Sequence, residues 1–240
     1  MRNLDGIINL CKPRGISSFR ALSVVKRRLK IKKVGHLGTL DPAACGVLVL
    51  LCGRATKLTN QLHTPTKVYR TLILWGQETD TLDCEGKVVA ESNVIPTPKQ
   101  ISEMLPNLVG EIEIEIPKFS AVHIQGKRAY ELARQGIDFV PPKKNVVVSR
   151  FDLLDVEQCQ RDLRSIGEDL EISEKASYFE IECQTGTYIR SLAKLLAGRL
   201  GTVATAGVII RTQVGNFKIE NAKTLDAVKI DDLQNMEEFL

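Results

Sequence analysis

The sequence predicts an α+β fold with a mixed sheet, and three stretches carry that prediction. Residues 111–116 read Glu-Ile-Glu-Ile-Glu-Ile, an alternation that marks a strand with one solvated face. Val47 to Leu51 is a continuous apolar run, the pattern of a strand buried on both faces. Phe19, Leu22, Val25 and Leu29 recur at spacings of three, three and four, the stripe of an amphipathic helix.

The remaining elements follow in order. Gly6 to Leu10 is a short apolar strand, closed by the turn residues Lys12-Pro13-Arg14-Gly15. Ser17 or Ser18 is placed to cap the helix that follows, which turns Arg20, Arg27, Arg28 and Lys30 towards solvent or a ligand. Gly35 to Pro42 is a turn-rich loop leading into the buried strand. Beyond Gly53, Ala55 to Leu62 reads as a helix and Tyr69 to Trp75 as a strand, with a polar turn over 79–87. Thr97 and Pro98 open a helix within 96–109, ahead of the alternating strand. Tyr130 to Gln135 is a short helix stopped by Gly136, and Pro141-Pro142-Lys143-Lys144 is a loop or lid edge. Residues 146–156 and 178–184 read as strands, and Thr187 to Arg199 as a helix capped by Thr187. Residues 218–240 read as a short acidic appendage, because beyond residue 216 three Lys face six Asp and Glu.

With 240 residues, 43% of them apolar and 26% charged, the chain is expected to form a single compact body. Its most apolar run, Ala43 to Cys52, is about half the roughly 20 residues of a membrane helix, so no membrane span is expected. Met1 to Gly6 lacks an apolar leader and reads as cytoplasmic. The six cysteines form no C-x-x-C pair and have no nearby histidine pair, which argues against a zinc cage and a thioredoxin-like motif. They read as reduced thiols, mostly buried. Phosphate-cradling, dinucleotide-binding and nucleophile-elbow motifs are absent from the sequence too.

Charge is unevenly distributed. The first seventy residues hold fourteen Lys and Arg against two Asp and Glu, a net of +12; the rest hold nineteen against twenty-seven, a net of −8. A basic end of this kind suits a polyanion, since Lys and Arg placed against phosphates displace condensed counterions. Asp41 works against phosphate binding there and asks for a local reason. Before Pro42 it could be an N-cap, with Pro42 at the first helical position; the flanking Gly35, Gly38 and Gly46 instead suit close approach to a bulky ligand. Arg190 falls in the first turn of its helix, where the dipole disfavours a cation by about 0.3–1 kcal/mol, so a carboxylate or phosphate there would offset it. By pattern alone Tyr69 is a half-buried core residue, and His36 either packs in its loop or stacks on a base.

Several segments together resemble one family, the TruB-type tRNA pseudouridine synthases. They are Gly6-Ile7-Ile8-Asn9-Leu10-Cys11-Lys12-Pro13 with Gly15, Gly35 through Leu48, and Gly53-Arg54-Ala55-Thr56-Lys57. Lys67-Val68-Tyr69-Arg70, Gly76 through Thr81 with Asp83 and Gly86, and Phe119 through Gly136 extend the likeness. Gly186-Thr187-Tyr188-Ile189-Arg190-Ser191-Leu192 and Val214-Gly215-Asn216-Phe217 complete it.

The resemblance implies a mixed, mainly antiparallel sheet flanked by helices and RNA-binding loops, a catalytic domain over 1–217, and an RNA-contacting insertion near 118–146. It implies isomerisation of the uridine at position 55 in the T-loop of tRNA to pseudouridine, after the base has been flipped out. By matched position, Asp41 is the essential aspartate, Tyr69 stacks on the target base, and Arg190 pairs with the aspartate. His36 stabilises the flipped-out loop, and Lys12, Lys57, Tyr188 and Arg211 join it in binding substrate. No cofactor, metal, membrane or protein partner is implied, and the partner is the tRNA T stem-loop, bound by a monomer in the cytoplasm. His123, Thr205 and Ile210 depart from residues common in the family, which puts individual RNA contacts in question. The segment after Phe217 is shorter than the additional RNA-binding domain of longer members, which also disfavours guide-dependent modification. The competing reading is an RNA-folding or RNA-binding protein that uses the same cleft without turnover.

Overall fold

The computed structural model describes residues 4–58, 66–124 and 126–235. In order, the chain forms β1 Gly6–Lys12, α1 Ser18–Arg28, β2 Val34–Leu37, β3 Ala44–Cys52, β4 Thr66–Trp75, β5 Gln77–Thr79 and β6 Val88–Glu91. There follow α2 Pro98–Met104, β7 Gly110–Glu115, β8 His123–Ile124, β9 Lys127–Arg128, α3 Ala129–Arg134 and β10 Lys143–Leu154. The last elements are α4 Val156–Ser165, β11 Ala176–Gln184, α5 Ile189–Arg199, β12 Ala204–Val214, β13 Phe217–Lys218 and β14 Lys223–Thr224. Where the sequence suggested one compact body, the chain falls into two compact units. One is Thr71–Val208; the other comprises the residues before and after it, and the chain passes between them within β4 and within β12.

In the first unit β3 is the centre. All nine of its residues are buried, as the apolar run predicted. β1 pairs antiparallel along it from Gly6 against Cys52 to Lys12 against Gly46. β2 pairs antiparallel with its second half, and β12 runs parallel to its start, setting Arg211 against Gly46. That approach explains Gly46: at φ +97° a β-carbon would lie 2.3 Å from the Arg211 carbonyl oxygen, so only glycine fits. Ile7, Leu37, Val47, Val49, Leu51, Ala55, Val214 and Phe217 form a core cluster of this unit.

α1 begins as predicted at Ser17, whose hydroxyl accepts the Arg20 N–H at 3.1 Å. It ends in a Schellman motif: the Ile31 N–H reaches the Lys26 carbonyl, the Lys30 N–H reaches Arg27, and Lys30 takes φ 55°. The buried stripe differs from the expected one. It runs Ser18, Ala21, Leu22, Val25 and Leu29, and Phe19, turned about 100° away on a 3.6-residue helix, is 73% exposed. The segment after residue 216 lies along β1: β14 pairs parallel with it and Gln234 bridges Ile7. The Arg28 guanidinium also donates to the Val228 carbonyl at 3.1 Å. Residues 236–240 of this segment lie outside the described residues.

In the second unit β10 pairs antiparallel with β11 on one side and β7 on the other. β7 behaves as its alternation predicted, with Ile112 and Ile114 buried between exposed glutamates. Trp75, Phe179 and Phe151 of this unit pack edge-to-face, the Trp75–Phe179 and Phe151–Phe179 ring centroids 6.3 and 5.5 Å apart. α2 opens with a capping box between Thr97 and Gln100, and the rest of the expected helix tightens into a 3-10 turn at Leu105–Leu108.

Other local expectations shift. Residues 35–37, read as loop, belong to β2, while Ala55 to Leu58 is a 3-10 turn and 59–62 of the expected helix lie outside the described residues. Lys143 and Lys144, read as a lid edge, start β10. Thr187 does not cap α5; its hydroxyl donates to the Gln184 carbonyl, and Tyr188 holds the cap position with no side-chain cap bond. α4 is not legible in the sequence because only Cys159 and Leu163 of its ten residues are buried, too few for a stripe; Asp155 caps it. Of the six cysteines, 45, 52, 159 and 183 are buried, Cys11 is intermediate and Cys84 is exposed. Burial pushes the thiols of Cys52 and Cys159 up to about 12. Among the described residues no helix is long and apolar enough to cross a membrane.

Candidate active site

No helix follows Pro42, so Asp41 is not an N-cap. The Asp41 carbonyl accepts the Ala44 N–H at 3.1 Å in a turn that delivers the chain straight into β3. What fixes this turn is a row of donors. The Gly38 carbonyl accepts Arg211 Nη2 at 3.0 Å, Thr39 accepts Arg211 Nη1 at 3.4 Å, and Leu40 accepts the Ser18 hydroxyl at 2.8 Å. Pro42 accepts the Gly15 N–H at 2.9 Å and Lys12 Nζ at 3.4 Å, and Ala43 accepts Arg14 Nε at 3.2 Å. Every carbonyl from Gly38 to Ala43 is therefore held. Ordering a loop residue costs about 1–2 kcal/mol, and a hydrogen bond from a charged donor contributes about 1.5–3 kcal/mol, so these bonds can offset the ordering of this segment.

Two of those donors were expected to bind substrate, and their placement is internal. Lys12 is 0% exposed and also donates to the carbonyls of Pro13 at 2.9 Å and Ile16 at 2.7 Å. Arg211 is 0% exposed as well, with Nε on the Val47 carbonyl at 2.7 Å. A third buried cation, Lys67, reaches the same loop. A β-carbon on Gly38, which has φ +75°, would lie 2.8 Å from Lys67 Nζ. Gly38 is thus the residue that lets two cations close on the backbone before Asp41.

Asp41 itself is partly exposed, as is His36 on β2. His36 Nδ1 is buried, with no hydrogen-bond partner among the described residues. Burial first, and the Arg211 charge second, hold the imidazole below its usual pKa and so in its neutral form. Tyr69 on β4 is only 7% exposed, more buried than a half-buried strand residue, and Lys57 stands exposed in the 3-10 turn Gly53–Leu58.

Arg190 and Tyr188 belong to the second unit. Arg190, at the start of α5, is 3% exposed and does have the carboxylate its dipole position called for. That carboxylate is Asp83: Nη1 stands 3.5 Å from Asp83 Oδ2 and donates to the Thr81 carbonyl at 2.7 Å, while Nη2 donates to Phe119 at 3.2 Å. Asp83 is held in turn by the Thr81 hydroxyl at 2.6 Å and the Glu85 N–H at 3.1 Å. Gly86 closes this polar turn, since a β-carbon there would meet Asp80 Oδ1 and Thr81 Oγ1 at 2.4 Å. Tyr188, at the cap position of α5, is partly exposed.

Comparison with known proteins decides what this arrangement belongs to. The family model of the TruB family pseudouridylate synthases, N-terminal domain, matches residues 26–189. The chain belongs to that family. TruB membership places it among RNA-modifying isomerases and agrees with the α+β fold. It is 39% identical to tRNA pseudouridine synthase B of Ehrlichia chaffeensis over 225 residues, covering 94% of this chain and 71% of that protein. With tRNA pseudouridine synthase B of Protochlamydia amoebophila it shares 40% identity over 239 residues, covering 99% of this chain and 84% of the relative. Among solved structures it is similar to a chain of a Cbf5-Nop10-Gar1 complex, with a TM-score of 0.68 at 26% identity. That match covers 98% of this chain and 61% of the other.

The TruB match includes His36, Asp41, Lys57, Tyr69 and Tyr188, whereas Lys12, Arg190 and Arg211 lie outside it. Sequence reasoning singled out neither Ser18, Arg14 and Lys67 in the Asp41 loop nor Asp83 beside Arg190 as site residues. The signal available for Asp83 was its place in a Thr-Asp-Thr-Leu-Asp turn, where short acidic side chains fold back on the backbone.

Proposed function

We propose that this protein converts the uridine at position 55 in the T-loop of tRNA to pseudouridine, with Asp41 as the essential group. The C1′–N1 glycosidic bond breaks, C1′ joins C5, and the hydrogen lost from C5 is balanced by one gained at N1. A base inside a folded loop does not present these atoms, so the uridine is flipped out before reaction. Tyr69 is assigned to stack on it and His36, a neutral and partly exposed imidazole, to hold the loop it leaves. Lys57 and Tyr188 are assigned to bind RNA. Arg190 is assigned to pair with the aspartate, as the family resemblance implies.

The observation that carries the reading is the held row of carbonyls from Gly38 to Ala43. It fixes the backbone around one carboxylate before substrate arrives, and such preorganisation contributes to rate because no reorganisation is left for the reaction. Within this reading Lys12 and Arg211 are positioning residues that act through the loop. The insertion near 118–146, with six Lys and Arg against two Asp and Glu, is assigned to RNA contact. The protein works as a monomer in the cytoplasm, with no cofactor and no protein partner.

The test uses a T-arm stem-loop carrying tritium at uridine C5. Isomerisation releases the label to water, so the expected result is stoichiometric release from the target uridine. Binding of the stem-loop without release would instead favour an RNA-folding protein, and release from no tRNA substrate would remove the enzyme reading.

A further inference from the structure

We propose that the outward face of α1 is a second contact for the same RNA, a track for its phosphate backbone leading away from the uridine at Asp41. The proposal rests on the tRNA-modifying reading above. Phe19, Ser23, Lys26 and Lys30 fall at i, i+4, i+7 and i+11 and so form one stripe, flanked by Arg20 and Arg27. Ser23, Lys26, Arg27 and Lys30 line an open groove of about 460 Å³. No Asp or Glu occurs between Asp5 and Asp41, and no carboxylate of the described residues pairs with Arg20, Lys26, Arg27 or Lys30.

The helix's own stability does not account for this face. Arg20 lies in the first turn, where the dipole opposes a cation. Lys26 and Lys30 repel one another one turn apart, and Lys30 occupies a left-handed position, φ 55°, that glycine would take with least strain. Phe19 stands in water among these cations, 73% exposed. A polyanion accounts for the charges and the ring: its phosphates neutralise the row of cations, and an unstacked base can lie on the exposed ring. A protein partner would need a strongly acidic surface and gives no account of the single aromatic among cations.

The location supports the RNA as occupant. The Ser18 hydroxyl accepts the Leu40 N–H and donates to the Leu40 carbonyl, both at 2.8 Å, which fixes the start of α1 against the Asp41 loop. From Ser18 to Lys30 the helix and its cap extend about 18 Å, the axial length of about five nucleotide steps in a duplex strand. The far cations therefore meet phosphates several nucleotides from the reacting uridine.

The test compares wild type, the double variant Lys26→Gln/Lys30→Gln, Phe19→Ser, and Lys99→Gln as a control on α2. Affinity for the T-arm stem-loop is measured across a salt series, beside KM and kcat for tritium release. The expected result for the double variant is a Kd and KM raised about tenfold near 0.1 M salt. Its slope of log K against log salt falls by one to two units, with the loss in KM rather than kcat. A trinucleotide centred on the uridine is too short for the track and should bind the double variant and wild type alike. Phe19→Ser, a change at a solvent-exposed side chain, should weaken the stem-loop severalfold with its slope retained. Equal Kd and equal slope in wild type and the double variant would overturn the track and return this face to solvent or an acidic protein. Should wild type bind RNA yet release no label, the catalytic reading fails, while the same salt series still decides the track.

Discussion

Arg211 in the first unit and Arg190 in the second are both buried guanidinium groups, 0% and 3% exposed, and they are satisfied in different ways. Arg211 donates to three main-chain carbonyls, those of Gly38, Thr39 and Val47. Arg190 has a carboxylate, Asp83, beside it and two carbonyls in addition. The units that hold them differ in the same sense. Outside Thr71–Val208 the chain carries eighteen Lys and Arg against eight Asp and Glu, a net of +10; within it, fifteen against twenty-one, a net of −6. Carbonyl dipoles stabilise a buried cation without cancelling its charge, so Arg211 still acts on its neighbours: burial chiefly, and the Arg211 charge in addition, lower the His36 pKa. A carboxylate beside a cation opposes its field. The basic unit thus keeps positive potential at the loop that carries Asp41, where a polyanion is to be received, while Arg190 has the Asp83 carboxylate within 3.5 Å.

Exchanging each acid for its amide gives the largest contrast between the units. Asp41→Asn is expected to lower label release more than a thousandfold, about 4 kcal/mol of barrier, while stem-loop binding persists. Release within about tenfold of wild type would show that the chemistry is centred elsewhere. Asp83→Asn should act first on stability, by about 3 kcal/mol in denaturant unfolding, because it removes a carboxylate charge beside a buried guanidinium. Adding Arg190→Met to it should recover at least about 1 kcal/mol. Strictly additive losses would mean that Arg190 and Asp83 are not an energetic pair.

Arg211 should show no such rescue by loss of a partner acid. Arg211→Met removes the donors of three carbonyls and is expected to cost about 2–3 kcal/mol, with KM affected less than kcat because the loop around Asp41 loosens. Arg211→Lys should restore only part of this, since one ammonium does not reproduce a planar fork reaching three acceptors. Full rescue by Lys would reduce Arg211 to a point charge and remove the contrast with Arg190.

The smallest effect concerns His36. The chain has three histidines, so their ring protons can be followed individually by NMR. His36 should titrate below 6.5 in wild type and move upward in Arg211→Met, though not fully, because burial is the larger cause. The sign for stability follows from linkage. The folded state resists protonation, so the His36 contribution is fully present above pH 6.5 and is lost as pH falls through the lower folded value. His36→Asn should flatten that acid limb. An unchanged His36 titration in Arg211→Met would show that the Arg211 charge does not reach the imidazole.

Much of the fold was legible because the signal was local. β3 and β7 announce themselves by an unbroken apolar run and by strict alternation, patterns that burial on two faces or one requires. Phe19 misled for a related reason: spacing alone does not set the register of a stripe, and the small residues Ser18 and Ala21 took the buried positions. α4 escaped because a helix resting on two buried side chains has no stripe to read.

By itself the sequence determined the family, the basic end and the short list around Asp41, because those depend on which residues occur and in what order. Only the tertiary structure decided what the cations do. Lys12 and Arg211, placed by motif among substrate contacts, are turned inward onto a loop 30 and 173 residues away in the chain. Arg190 meets Asp83 across more than a hundred residues of chain. The Arg211 placement rests on strand register, with Gly46 lying against Arg211 where β3 and β12 run parallel. Register is settled by which faces are buried together, which the periodicity of one segment does not contain.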